Sequence, residues 1–205
     1  MSDTGIGIPL EKRGQLFSRF MQSSFSGDSM GIGLHLTHEL VNVHKGSIEY
    51  AENEGHIWIG TYGGGLNVVD GIFPDLHFIH SDNGLDLYPK DECRKVRSIY
   101  CTSTGIMLVG TTDGLLSFSA KTDEYRKIQF NLNHCETKRA NSLSNNDVIY
   151  TFESKKGEIY IITHSSGLNL VTSKNLLCDN IEFVHFELNR NGLPSDMAYT
   201  MIEGT

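Results

Sequence analysis

The sequence predicts a mainly β chain with a small α/β segment at its N-terminus, the β part forming an open β-propeller arc of three blades. Three observations carry this expectation. The stretch GHIWIGTYGGGLNVVD (Gly55–Asp70) returns as GIMLVGTTDGLLSFSA (Gly105–Ala120) and as GEIYIITHSSGLNLVT (Gly157–Thr172). With leading glycines at 55, 105 and 157, the period is about 50 residues, which marks propeller blades or solenoid repeats. Residues 56–61, 106–111 and 158–163 are apolar or β-branched at nearly every position, as strands buried on both faces require. The segments between the copies repeat too. Asn83-Gly84-Leu85, Asn141-Ser142-Leu143 and Asn191-Gly192-Leu193 each precede a further strand, starting at Val96, Val148 and Met197. About four strands per ~50 residues is the arithmetic of a blade.

The chain before the repeats has a different character. Asp3-Thr4-Gly5-Ile6-Gly7-Ile8-Pro9 sets two glycines ahead of a proline that can start a helix, and Leu16, Phe17, Phe20 and Met21 share one helical face. Ser23–Met30 is a small polar run that reads as a loop. Gly31-Ile32-Gly33 opens a second helix carrying Leu36, Leu40 and Val43, which Lys45-Gly46 closes, and Ser47–Glu52 reads as a short strand. Glycine pairs ahead of helices suit phosphate or nucleotide contact, because the backbone can approach and helix N-termini favour anions.

Taken together, residues 1–54 resemble the C-terminal half of a histidine-kinase ATP-binding domain. DTGIGIP looks like the first glycine box, LFSRF the phenylalanine box, and GIGLHLTHELVNVHKGSIEY the second glycine box with its helix and strand. The resemblance implies that Asp3 hydrogen-bonds the adenine amino group, that Gly5 and Gly7 admit the base, and that Ser23–Met30 is a lid. It also implies that Gly31 and Gly33, followed by Leu34, face the phosphates of ATP held with Mg²⁺. The asparagine-bearing helix that supplies the Mg²⁺ ligand lies upstream of the first glycine box in that family, as do the phosphoacceptor helices, and neither is in these residues. His38-Glu39-Leu40 mimics the start of the phosphoacceptor motif but lacks the basic residue and proline that follow it there. Phosphoryl transfer leans on metal-borne charge neutralisation, so kinase activity is not expected of these residues alone.

Residues 55–205 resemble the two-component regulator propeller repeat, through I-W-I-G-T-x-x-G-G-L and the N-G-L segments between copies. That family builds the periplasmic sensors of inner-membrane hybrid histidine kinases, especially those controlling polysaccharide use. The resemblance therefore implies an oligosaccharide ligand read by loops of the propeller face. Closed propellers take at least four blades, so three form an arc whose open sheet edges invite self-association or docking of other chains.

The net charge of −8 argues against nucleic-acid or anionic-membrane binding. No stretch approaches a membrane span and no signal segment is visible, so the sequence as written is expected in the cytoplasm. Cys93, Cys101, Cys135 and Cys178 lack C-x-x-C spacing and read as ordinary thiols, and no metal is assigned. Trp58 reads as core, Tyr62 in its turn as the more plausible ligand contact, and His77 and His80 as facing opposite ways.

The expected function is a fragment or rearranged form of a hybrid sensor histidine kinase, with a sensing arc and an incomplete ATP site. The alternative is a non-enzymatic module that docks on other sensor chains. One structural expectation is specific to the junction: Ser47–Glu52 pairs antiparallel with His56–Thr61 through a turn at Asn53–Gly55, taking the place of the first blade's own leading strand. In that alignment Ile48 and Tyr50 match Ser98 and Tyr100, and Tyr150 and Phe152.

Overall fold

A computed structural model describes residues 39, 47–49, 56–70, 76–119, 121, 124–188 and 193–204, residues 47–49 in their backbone. The expected ATP-box residues 1–34 lie outside this set, and Glu39, in the expected second helix, is helical and exposed.

Each repeat forms one antiparallel four-stranded meander. Sheet 1 comprises β1 (Ser47–Glu49), β2 (Ile57–Thr61), β3 (Gly65–Asp70) and β4 (His77–Ile79). Sheet 2 comprises β5 (Val96–Cys101), β6 (Ile106–Thr111), β7 (Leu115–Ser119) and β8 (Asn131–Asn133). Sheet 3 comprises β9 (Val148–Glu153), β10 (Ile159–Thr163), β11 (Leu168–Val171) and β12 (Phe183–Phe186). Strand order follows chain order in all three, and a 3₁₀ turn at Tyr125–Lys127 lies between β7 and β8.

The unbroken apolar run of each second strand has a direct explanation. Along β6, Met107 and Val109 join a core with Trp58, Leu66 and Val68 of sheet 1. Leu108, between them, joins the core with Val148, Ile159 and Ile161 of sheet 3. A period of two therefore feeds two separate cores from one strand. The connector leucines plug the same two layers: Leu85 is fully buried in the first and Leu143 in the second. Trp58 is core, 1% exposed, with its ring 4.8 Å from that of Phe118.

Neighbouring sheets meet closely where the sequence supplies glycine. A Cβ on Gly60 would sit 2.3 Å from Val96 Cγ1, and one on Gly110 would sit 2.8 Å from Val148 Cγ1. The first valine of each following sheet thus fills the space of an absent side chain. The corresponding residue of β10 is Ile162, opposite Tyr150 as Gly110 is opposite Ser98.

The junction expectation is met over the described strand: β1 pairs antiparallel with β2, Ser47 opposite Gly60, Ile48 opposite Ile59 and Glu49 opposite Trp58. Residues 50–55, including the expected turn, lie outside the described set. The alignment, however, differs by one residue. Ser47, rather than Ile48, holds the position of Ser98 and Tyr150. The cause is the length of the connection: the partners Ser47 and Gly60 stand 13 residues apart in sequence, whereas Ser98 and Gly110, like Tyr150 and Ile162, stand 12 apart. Counting back from the glycines misses this one extra residue. The register irregularities of the other two pairs, between Val96 and Ser98 and between Ile162 and Thr163, lie farther from the hairpin and play no part in it.

Candidate functional site

The residues expected to hold ATP, Asp3, Gly5, Gly7, Gly31, Gly33 and Leu34, lie outside the described residues. What the three sheets bring together lies at their two ends. The turns between second and third strands gather at one end, and the hairpins between first and second strands at the other.

At the turn end stands Tyr62, 39% exposed, at the start of the turn between β2 and β3. Lys95 Nζ lies 5.5 Å and Arg97 Cζ 5.6 Å from the centre of its ring, both from the leading edge of sheet 2. Cations at this distance are drawn to the negative face of the ring, about 0.5–1 kcal/mol each at an exposed site. Arg97 also makes a two-pronged contact with Asp147 of the next sheet, Nε to Oδ1 and Nη2 to Oδ2, both 2.9 Å. Backbone bonds fix the arrangement: Gly63 N and Gly65 N donate to the Arg94 carbonyl at 2.8 and 2.9 Å, and His164 N donates to the Asp147 carbonyl at 2.8 Å. An aromatic face beside two cations can stack on a sugar ring and meet an anionic substituent.

At the hairpin end, a groove of about 480 Å³ runs between the ends of β5 and β9. Its walls include Tyr100, Ser103, Phe152, Glu153, Lys155 and Ile202. Glu153 is held there by three donors. Ser103 N reaches Oε2 at 2.7 Å, Ser103 Oγ reaches Oε1 at 2.5 Å, and Tyr100 Oη reaches Oε2 at 3.4 Å. Burial, and then the Glu153 carboxylate, push the Tyr100 phenol up to about 12.

Tyr62 was legible as a surface aromatic in a turn, but Lys95, Arg97, Asp147, Tyr100 and Glu153 were not singled out by sequence. A usable signal existed for the first two: Arg94, Lys95 and Arg97 cluster just where a leading strand begins, in an otherwise acidic chain. Among the described residues no group of three or more His, Cys, Asp or Glu could hold a metal, and the four cysteines are free thiols. Among them, too, no helix is long and apolar enough to cross a membrane.

Residues 1–69 match the family model of the histidine kinase-, DNA gyrase B-, and HSP90-like ATPases, a match that runs through β2 and into β3. Over 125 residues the chain is 30% identical to the circadian input-output histidine kinase CikA of Synechococcus elongatus, covering 56% of this chain and 16% of that protein. The extracellular domain of the hybrid two component system BT3049 from B. thetaiotaomicron is similar in fold, with a TM-score of 0.57 at 18% identity over 75% of this chain. The corresponding domain of BT4673 from the same organism gives a TM-score of 0.35 at 18% identity over 70% of this chain. The chain spans 20% and 24% of those two structures. The sequence matches relate the chain to two-component histidine kinases, and the first structural likeness bears on its fold alone.

Proposed function

We propose that the chain is part of a hybrid two-component sensor histidine kinase, in which the three sheets are blades of a partial β-propeller that senses an oligosaccharide. Residues 1–54 would be the nucleotide-binding part and 55–205 the sensing part. The observation that carries this reading is the run of the ATPase family match directly into the first of three alike, stacked, four-stranded sheets. The ligand would meet the turn end, where Tyr62 offers a ring face flanked by Lys95 and Arg97. The nucleotide enters as a binding partner only. Asp3 would take the adenine amino group and Gly31 and Gly33 would lie at the phosphates, with Mg²⁺ ligation and phosphoacceptor supplied by other residues or another subunit.

A second reading is favoured by the apolar residues left exposed beyond sheet 3, Met197, Tyr199 and Ile202. In it the chain is a non-enzymatic module that associates with itself or docks on other sensor chains through open sheet edges.

Equilibrium titration tests both parts of the first reading. ATP is expected to bind with an affinity that Mg²⁺ does not raise, its metal ligand lying elsewhere, and to lose binding in Asp3→Ala, while Tyr62→Ala weakens a bound oligosaccharide by about tenfold, the value of one stacking contact. No ATP binding up to millimolar concentration would end the nucleotide reading. A saccharide panel that fails to bind would favour the interaction module.

A further inference from the structure

Sheet 1 has a second face, turned away from sheet 2. Trp58 and Gly60 of β2 point toward sheet 2, the first packed in the shared core and the second against Val96. By the strand period of two, Ile57 and Ile59 point the other way. Their partners on β3, Val69 and Asn67, share that face, and so does Phe78, the partner of Val69 on β4. Burial across the face is uneven. Ile59 is 3% exposed, Ile57 and Val69 are half-buried, and Phe78 on the outer strand is 47% exposed. Ile59 stands in the middle of β2, away from the turns at either end. Among the described residues, the hydrophobic side chains packed against it are Ile57 and Val69 of its own sheet. Neither of the other sheets supplies its cover.

Two further observations point to one neighbour. Residue 46 leads straight into β1, which lies beside β2 with Ile48 opposite Ile59. Glu39 is helical, and around it Leu36, Leu40 and Val43 recur at helical spacing, a stripe that a stable helix buries. A helix joined so closely to a strand packs back on that strand's own sheet, and the side toward sheet 2 is already taken. The ATPase family match, for its part, ends at residue 69, the partner of Ile57. It thus takes in β1, β2 and nearly all of β3, the buried part of the face, and leaves out β4 with the exposed Phe78.

We propose that the face of sheet 1 formed by Ile57, Ile59 and Val69 seats the helix that carries Leu36, Leu40 and Val43. β1 to β3 are then a layer of the ATPase-like part and the first sheet of the array at once, with no linker between the two. Trp58, Leu66 and Val68 serve the array, and Ile59 serves the helix. The assignment goes beyond the functional reading above and stands whether or not nucleotide or oligosaccharide binds.

The test is thiol labelling of the full chain carrying Ile59→Cys, read by mass spectrometry of its peptides. Buried Cys93, in the core between sheets 1 and 2, and exposed Cys135 are the internal references. The thiol introduced at position 59 is expected to react with iodoacetamide about tenfold or more slower than Cys135. Adding Leu40→Asp, which sets a charge against the apolar face, is expected to raise that rate about tenfold or more while Cys93 stays protected. Fast labelling without Leu40→Asp overturns the assignment, and so does a slow rate that Leu40→Asp leaves unchanged. Protection lost on dilution of the chain would make a second copy the occupant and overturn it too. If Cys93 opens together with position 59, the milder changes Leu40→Ala and Ile59→Ala decide by urea unfolding. The double variant is expected to lose less than the product of the two single losses, by about fivefold or more in the unfolding equilibrium, and independent effects overturn the contact. No readout uses a ligand, so failure here leaves the functional reading untouched.

Discussion

At the scale of single residues, the turns separate what the fold requires from what it tolerates. Ser165 holds a φ of 55°, where the equivalent turn of sheet 1 has Gly63, also at positive φ. A side chain in the left-handed region costs roughly 1–2 kcal/mol, partly offset by the greater unfolded freedom of glycine. Ser165→Gly is therefore expected to raise stability by about 0.5–1 kcal/mol, read as a higher urea midpoint. The Tyr100 phenol sets a pH dependence. Its folded pKa is pushed up to about 12, so its neutral form is the one the fold prefers. That contribution is complete below pH ~10, the ordinary phenol value, and disappears as pH rises to 12. Tyr88, raised chiefly by its burial, acts with the same sign. Urea midpoints measured from pH 9 to 12 should fall across this window, and Tyr100→Phe should make the fall shallower.

At the scale of elements, the glycine joints are where neighbouring sheets can be forced apart. Gly60→Ala is expected to cost about 1–3 kcal/mol, since its new methyl would overlap Val96 at the sheet 1–2 contact. Combined with Val96→Ala, the loss should be smaller than the sum of the two single changes, and chemical denaturation of the four variants measures the difference. The strands and turns of the repeats were legible because an apolar run and a glycine turn are local features. β2, β6 and β10 begin within a residue of the expected 56, 106 and 158. The register of β1 was not legible, because it turns on one extra residue between the partners of β1 and β2, a length that counting from the glycines assumes rather than reads. The same limit hid the partners of Tyr62: Lys95 and Arg97 come from the next repeat, so only the packed sheets reveal them.

At the scale of the whole molecule, the element contacts run from sheet 1 to sheet 2 and from sheet 2 to sheet 3, as in a linear array. Stability in such an array is close to a sum of units and nearest-neighbour terms, so the middle sheet, with both faces covered, is the most secure. This agrees with the burial of β6, whose last five residues are all buried. The hydrogen bonds that fasten residues 196–203 to sheet 3 and its following loop, from Lys155 N to Glu203 Oε2, Gly167 N to the Asp196 carbonyl and Leu188 N to Asp196 Oδ1, have a mechanical consequence. A pull on Gly204 would load the Glu203 contact first and the pair at Asp196 afterwards, with no ladder between them to share the force. Sheet 3, loaded along its strands, would resist through all its ladder bonds at once. The segment is thus a peeling element on a shearing one, a weak fuse that yields long before the sheets behind it.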